Sequence, residues 1–142
     1  MDALPIDLSP LEKAAAALAE ALACWQEQPA ESRLKPHLRS GAIQSFEFTY
    51  ELSVRLLRRV LMERAASADL VADLSFNDLL RAAADAQLLS DPVAWRRWRD
   101  LRNRTSHSYD EQQAQAIAEE AMLFLADAQR LLKALQEALR DG

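Results

Sequence analysis

The segment Trp95–Asp110 reads W-R-R-W-R-D-L-R-N-R-T-S-H-S-Y-D and gathers most of the side chains in this chain that could do chemistry. On an ideal helix with Trp95 at zero, Trp98 falls at about 300° and Arg102 at about 340°. Arg102 therefore shares a face with the two tryptophans, whereas Arg97 points away as a solvated arginine does. A guanidinium turned inward needs an acidic partner, because an unpaired buried charge is costly. His107 follows just past the helix end, in the short polar run Thr105-Ser106-His107-Ser108, where a histidine is ordinarily a surface residue. Brought together, the two side chains could cleave RNA without a metal. Imidazole moves a proton near neutral pH, and guanidinium stabilises charge gathering on a phosphate.

The candidate acidic partners stand on an earlier helical stretch. Glu47 and Glu51 are four residues apart, and Glu47 lies about 60° from the centre of an apolar stripe. In the competing arrangement Glu51 pairs with Arg55 and Glu47 is solvated. Around Arg102, the residues Arg96, Arg97, Arg99 and Arg104 complete five arginines within nine positions, offset by Asp100. The whole chain has a formal charge of −5. That balance argues against a broad nucleic-acid surface and leaves this segment to attract a phosphate chain. His37, between Pro36 and Leu38, suggests no role.

Helices must hold these residues, and their starts are legible. Ser9-Pro10-Leu11-Glu12 has the capping-box pattern with a proline in the first turn and opens a helix to about Gln26. Pro29 and Pro36 mark the connection that follows, and a long second helix runs from near His37 to about Ala66. Ser75-Phe76-Asn77-Asp78 opens a short third helix to about Leu88. Asp91-Pro92 caps a fourth that ends near Asn103. Asp110, with Gln113 three residues on, starts the last, which continues to about Leu139.

In the last helix Ala114, Ile117, Ala121, Phe124, Ala128, Leu131, Leu135 and Ala138 form one seam at alternating steps of three and four. The second helix differs. One stripe is Ile43, Phe46, Tyr50, Val54, Leu57 and Leu61; a second, nearly opposite, is Phe48, Leu52, Leu56 and Val60. A helix apolar on two faces is either central in its bundle or offers one face to a second copy of the chain.

Composition agrees with an all-α fold. Half the residues are hydrophobic and only two of the 142 are glycine, while strong helix formers dominate and β-branched residues are few. The length fits a single domain with its core over about residues 9–140. The lone Cys24 forms no internal disulfide and no metal cluster, which suits a reducing compartment. No cofactor is expected. Met1–Pro10 lacks the basic start and apolar run of a signal peptide, and no stretch approaches the roughly 20 apolar residues of a membrane span. A cytoplasmic location without membrane association is expected.

Arg102-Asn103-Arg104-Thr105-Ser106-His107 matches the R-x4-H pattern of HEPN domains, and Ser108-Tyr109 extends it to R-x4-H-x-Y. The second-helix text Ile43-Gln44-Ser45-Phe46-Glu47-Phe48-Thr49-Tyr50-Glu51-Leu52, Trp95 upstream of the arginine and the run Tyr109-Asp110-Glu111 are also similar to that family. Over Leu11 to Leu135, the chain resembles the HEPN proteins once called nucleotidyltransferase substrate-binding proteins. The resemblance implies an antiparallel four-helix up-and-down bundle with an additional short helix, dimerising so that two motifs meet in one cleft. It also implies a ribonuclease toxin, silenced by a minimal nucleotidyltransferase encoded nearby that places AMP on the motif tyrosine. Carried over, Arg102 would bind and stabilise phosphate, His107 would transfer protons and Asn103 would orient substrate or loop. Glu47 would be the acidic neighbour, Arg99 and Arg104 would attract RNA, and Tyr109 would accept AMP. Two other readings keep the same residues: a non-catalytic subunit presenting a nucleotide or substrate to the nucleotidyltransferase, and a scaffold in which the motif only staples a loop.

Overall fold

The computed structural model describes residues 5–141. Residues 1–4, part of the stretch inspected for a signal peptide, and Gly142 lie outside the described residues. Among the described residues there are six α-helices and one 3₁₀ turn: α1 (Ser9–Glu27), α2 (Lys35–Arg64), α3 (Ala68–Ala72), α4 (Phe76–Asp85), α5 (Pro92–Arg104), the turn Thr105–His107, and α6 (Glu111–Asp141). The expected all-α bundle is present. The long helices α1, α2 and α6 pack on one another, α5 lies against α2 and α6, and α4 closes on α5 and α2.

Several helix starts follow the side-chain logic of the sequence. Ser75 accepts the Asp78 amide at 3.2 Å, Asp91 accepts the Ala94 amide at 3.1 Å, and Asp110 Oδ1 accepts the amides of Gln112 at 2.9 Å and Gln113 at 3.2 Å. Each side chain satisfies an amide that the helix itself cannot. The first two helices depart from expectation. Ser9 is not a cap: it lies inside α1, and its amide donates to Asp7 Oδ1 at 2.9 Å. That hydrogen bond holds the Asp7 carboxyl below its ordinary value. Likewise Pro36 does not belong to the connection but sits in the first turn of α2, where its missing N–H costs nothing.

Two short helices replace the single one anticipated. The additional helix α3 has no side-chain cap and is held from outside, by Arg58 Nη1 donating to the carbonyls of Val71 and Leu74 at 3.0 Å each. At the other end of this region α4 stops at Asp85 rather than near Leu88, because Gln87 takes a φ of 63°. A side chain there is strained, and the chain turns.

The apolar seam of α6 is buried from Ala114 to Leu135, while Ala138 is only partly covered. Both stripes of α2 are largely covered within one chain: Leu52, Leu56 and Val60 are buried together with Ile43, Phe46, Tyr50, Leu57 and Leu61. The helix is therefore central, and Phe48 alone of its second stripe stays exposed, at 58%. Close approach of α1 and α2 uses small residues. Thr49 and Ser53 are fully buried, with their hydroxyls donating to the Ser45 and Thr49 carbonyls at 2.7 Å, so neither leaves a polar group unsatisfied. Among the described residues no helix is long and apolar enough to cross a membrane.

Candidate functional site

The rotation of α5 decides where its arginines go. Trp95, Trp98 and Leu101 are buried, and both indoles meet the Phe124 ring of α6 edge-on with centroids 5.7 Å apart. Trp98 Nε1 also donates to Asp127 Oδ2 at 2.8 Å. With the apolar face fixed on α6, the last turn of α5 presents Arg102 to α2.

Arg102 does not sink between the tryptophans as the helical projection suggested. Its side chain is about a third exposed and runs to the acidic face of α2. Nε and Nη2 donate to Glu51 Oε1 at 2.9 and 2.7 Å, while Nη1 lies 3.4 Å from Glu47 Oε2 and donates to Thr105 Oγ1 at 3.0 Å. Both candidate carboxylates thus hold the same guanidinium, with Glu51 the closer. The alternative arrangement, Glu51 on Arg55 with Glu47 solvated, does not occur. Thr105 is itself buried and donates to the Arg102 carbonyl at 2.6 Å. It ties the arginine side chain to the turn that carries His107.

His107 ends that turn and is exposed. Its ring stands 6.1 Å from that of Tyr109, edge-on, and Tyr109 is 84% exposed. Among the described residues no hydrogen bond joins His107 to Arg102. The two are linked through the backbone of the turn, where the Ser108 amide donates to the Thr105 carbonyl and the Asp110 amide to the His107 carbonyl, both at 3.1 Å. Asn103 is exposed, and its carbonyl accepts the Ser106 hydroxyl at 3.1 Å.

The remaining arginines divide. Arg104 Nη1 meets Glu120 Oε2 at 2.7 Å, and Arg97, which the sequence left in solvent, meets Glu120 Oε1 at 3.2 Å. One α6 carboxylate therefore occupies two of the cluster's cations. Arg99 is exposed, its guanidinium 5.0 Å from the centre of the Phe76 ring, a cation–π contact that leaves its N–H donors available.

Sequence reasoning missed Thr105 and Glu120. A threonine three residues after a helical arginine was a usable signal; Glu120 gave none, since its role comes from how α6 lies against α5. Periodicity alone places Tyr50 in the first apolar stripe of α2 and suggests no further role. It stacks on Trp95 with centroids 6.4 Å apart, and burial pushes its phenol up to about 12, against the pull of Arg99 and Arg102. With Glu51 and Met62 it lines a groove of about 590 Å³ along α2.

A helical bundle with R-x4-H-x-Y spanning the end of its penultimate helix and the turn after it belongs to the HEPN class. Residues 6–137 match the family described as nucleotidyltransferase substrate binding protein like, and the chain belongs to that family. It is 40% identical over 100 residues to a Haemophilus influenzae protein named "Probable ribonuclease HepT", covering 70% of this chain and 68% of that one. A solved Haemophilus influenzae structure, described as revealing the fold of a substrate binding domain of a nucleotidyltransferase, superposes with a TM-score of 0.84 at 34% identity. That match covers 92% of this chain and 99% of the other.

Proposed function

We propose that this chain, acting as one domain, is a metal-independent endoribonuclease toxin of a HEPN/minimal-nucleotidyltransferase pair. The observation that carries the reading is the hold on Arg102: two α2 carboxylates and Thr105 fix its guanidinium beside the turn that ends in His107. A relative named as a ribonuclease supports it. In the reaction a ribose 2′-oxygen attacks the adjacent phosphorus, the bond to the 5′-oxygen breaks, and a 2′,3′-cyclic phosphate is left. His107 moves the proton between the oxygens and solvent, and Arg102 stabilises the charge on the phosphorane oxygens. Asn103 orients the strand, and Arg99 with Arg104 draws in neighbouring phosphates. Two copies of the chain bring two such motifs to one cleft in the cytoplasm.

Arg102 must exchange part of its carboxylate pairing for phosphate, since two glutamates outweigh one arginine at rest. Glu51→Gln should therefore strengthen RNA binding, while Glu47 remains to position the guanidinium. The exposure of Tyr109 supports its role in silencing. Its hydroxyl attacks the α-phosphate of ATP on the nucleotidyltransferase, pyrophosphate leaves, and the AMP phosphate beside Arg102 and His107 blocks them by charge and bulk.

The test is purified protein incubated with cellular RNA in EDTA. Cleavage that disappears in both Arg102→Ala and His107→Ala supports the reading, and cleavage undiminished in both refutes it. A second reading, a non-catalytic subunit that presents a nucleotide to the nucleotidyltransferase, is favoured by the neutralised state of Arg102 and by the description of the solved relative. It predicts a stable complex on co-expression with the partner and no toxicity from the chain alone.

A further inference from the structure

At the start of α2, far from the motif in sequence, Arg39 is the most buried of the ion-paired arginines among the described residues, and it is loosely held. Its side chain is 13% exposed, against 32% for Arg102. Its Nε is buried without an acceptor. Nη1 reaches Gln115 Oε1 only at 3.4 Å, and Nη2 stands 3.8 Å from Glu111 Oε1, a carboxylate that is itself 79% exposed. Charge-assisted bonds to carboxylate run at about 2.7–2.9 Å, the distance Arg102 and Arg104 achieve. Buried polar groups are ordinarily satisfied, and a cation held so loosely needs a reason.

The surroundings suggest one. Two adjoining hollows of about 370 and 380 Å³ share Arg39, Glu111 and Gln115 as walls, and Lys35 lines the second. The amides opening α6 are not the attraction, because Asp110 already accepts from Gln112 and Gln113. The cations are. Glu111 lies two residues after Tyr109, so the hollows open beside the motif turn. Along α2, Arg39 precedes Glu47 and Glu51 by about 12 and 18 Å, the span of a few nucleotides from the Arg102 pair.

We propose that Arg39, assisted by Lys35, is a phosphate-binding subsite that holds a backbone phosphate of the RNA strand a few nucleotides from the scissile bond. Glu111 acts as a loose place-holder that swings into solvent when the phosphate arrives. The subsite rests on the ribonuclease reading and deepens it, by giving the acidic chain a second grip on the strand.

The probe is a fluorescent single-stranded 2′-O-methyl RNA, which lacks the attacking hydroxyl, titrated by anisotropy across a salt series. Arg39→Gln should weaken binding several-fold and make the slope of log K against log salt shallower by about 0.7, the loss of one single-strand phosphate contact. Arg39→Lys should keep the slope. An unchanged slope in a folded Arg39→Gln protein overturns the subsite. If that protein does not fold, Glu111→Gln decides: removal of the competing carboxylate should tighten binding several-fold, and unchanged or weaker binding overturns it. Titration with AMP separates the sources, since AMP affinity lost in Arg39→Gln with an intact RNA slope would refute the strand as the ligand. The two readings fail separately. Cleavage abolished by Arg102→Ala with an unaltered Arg39→Gln slope sinks the subsite alone; a shallower slope with no cleavage by any form sinks the ribonuclease alone.

Discussion

Arg102 commits its donors to Glu51, Glu47 and Thr105, and its partial exposure sets what losing it costs. An ion pair with this much solvent contact is worth about 1 kcal/mol rather than the several of a buried one, so Arg102→Ala should lower Tm by roughly 3 °C while abolishing RNA cleavage. A melt by circular dichroism checks the first and an RNA gel the second; a collapse of more than about 15 °C would mean that the motif chiefly staples its loop. Tyr50 gives a prediction in pH. Its phenol ionises near 12 in the folded chain against an ordinary 10.0, so folding favours the protonated form. That contribution is complete below about pH 10 and is lost as pH climbs through 12. Urea midpoints should fall over that interval, and Tyr50→Phe should flatten the fall. In Tyr109→Phe protein the one remaining phenol should titrate near pH 12 by absorbance. The R-x4-H spacing was legible because it lies within one stretch of chain. The grip on Arg102 was legible only as two candidates, because 51 residues separate Glu51 from it and a helical projection gives direction without the sideways reach of a long side chain.

Helix ends show where local chemistry decides and where packing does. Asp91, Ser75 and Asp110 cap as their sequences indicate, whereas α3 was invisible: five residues carry no period, and its support is a tertiary one from Arg58. Ser9 looked like a cap and is not, because the helix begins one residue earlier and the Leu8 carbonyl already accepts the Leu11 and Glu12 amides, at 3.0 and 3.1 Å. The cap on α6 matters most for function, since it terminates the turn bearing His107 and Tyr109. Asp110→Ala should cost about 1 kcal/mol and let the amides of Gln112 and Gln113 exchange faster with deuterium, while those beyond Phe124 keep their protection. Cleavage should fall with it if the turn must be held for the imidazole to meet phosphate. Unaltered exchange at those two amides would show that the cap contributes nothing to order there.

For the whole molecule, the question is what covers the outer face of α2. Periodicity showed two apolar stripes and left two explanations open, and burial of Leu52, Leu56 and Val60 within one chain accounts for most of the second. What remains is Phe48, 58% exposed and flanked along the same helix by Glu47 and Glu51, the carboxylates that grip Arg102. An exposed phenylalanine there contributes little to the fold of one chain, so a charge in its place should leave the monomer's stability within about 0.5 kcal/mol. If a second copy seats on this face, aromatic burial at the centre of the contact is what such interfaces lose most by giving up. The wild-type chain should then sediment as a dimer at micromolar concentration and Phe48→Glu as a monomer with an unchanged melt. Because the contact would border the Glu47–Glu51–Arg102 cluster, the monomer should also lose RNA cleavage with its catalytic side chains intact. A wild-type chain that sediments as a single copy yet cleaves RNA would assign the whole reaction to one motif and leave Phe48 without a partner.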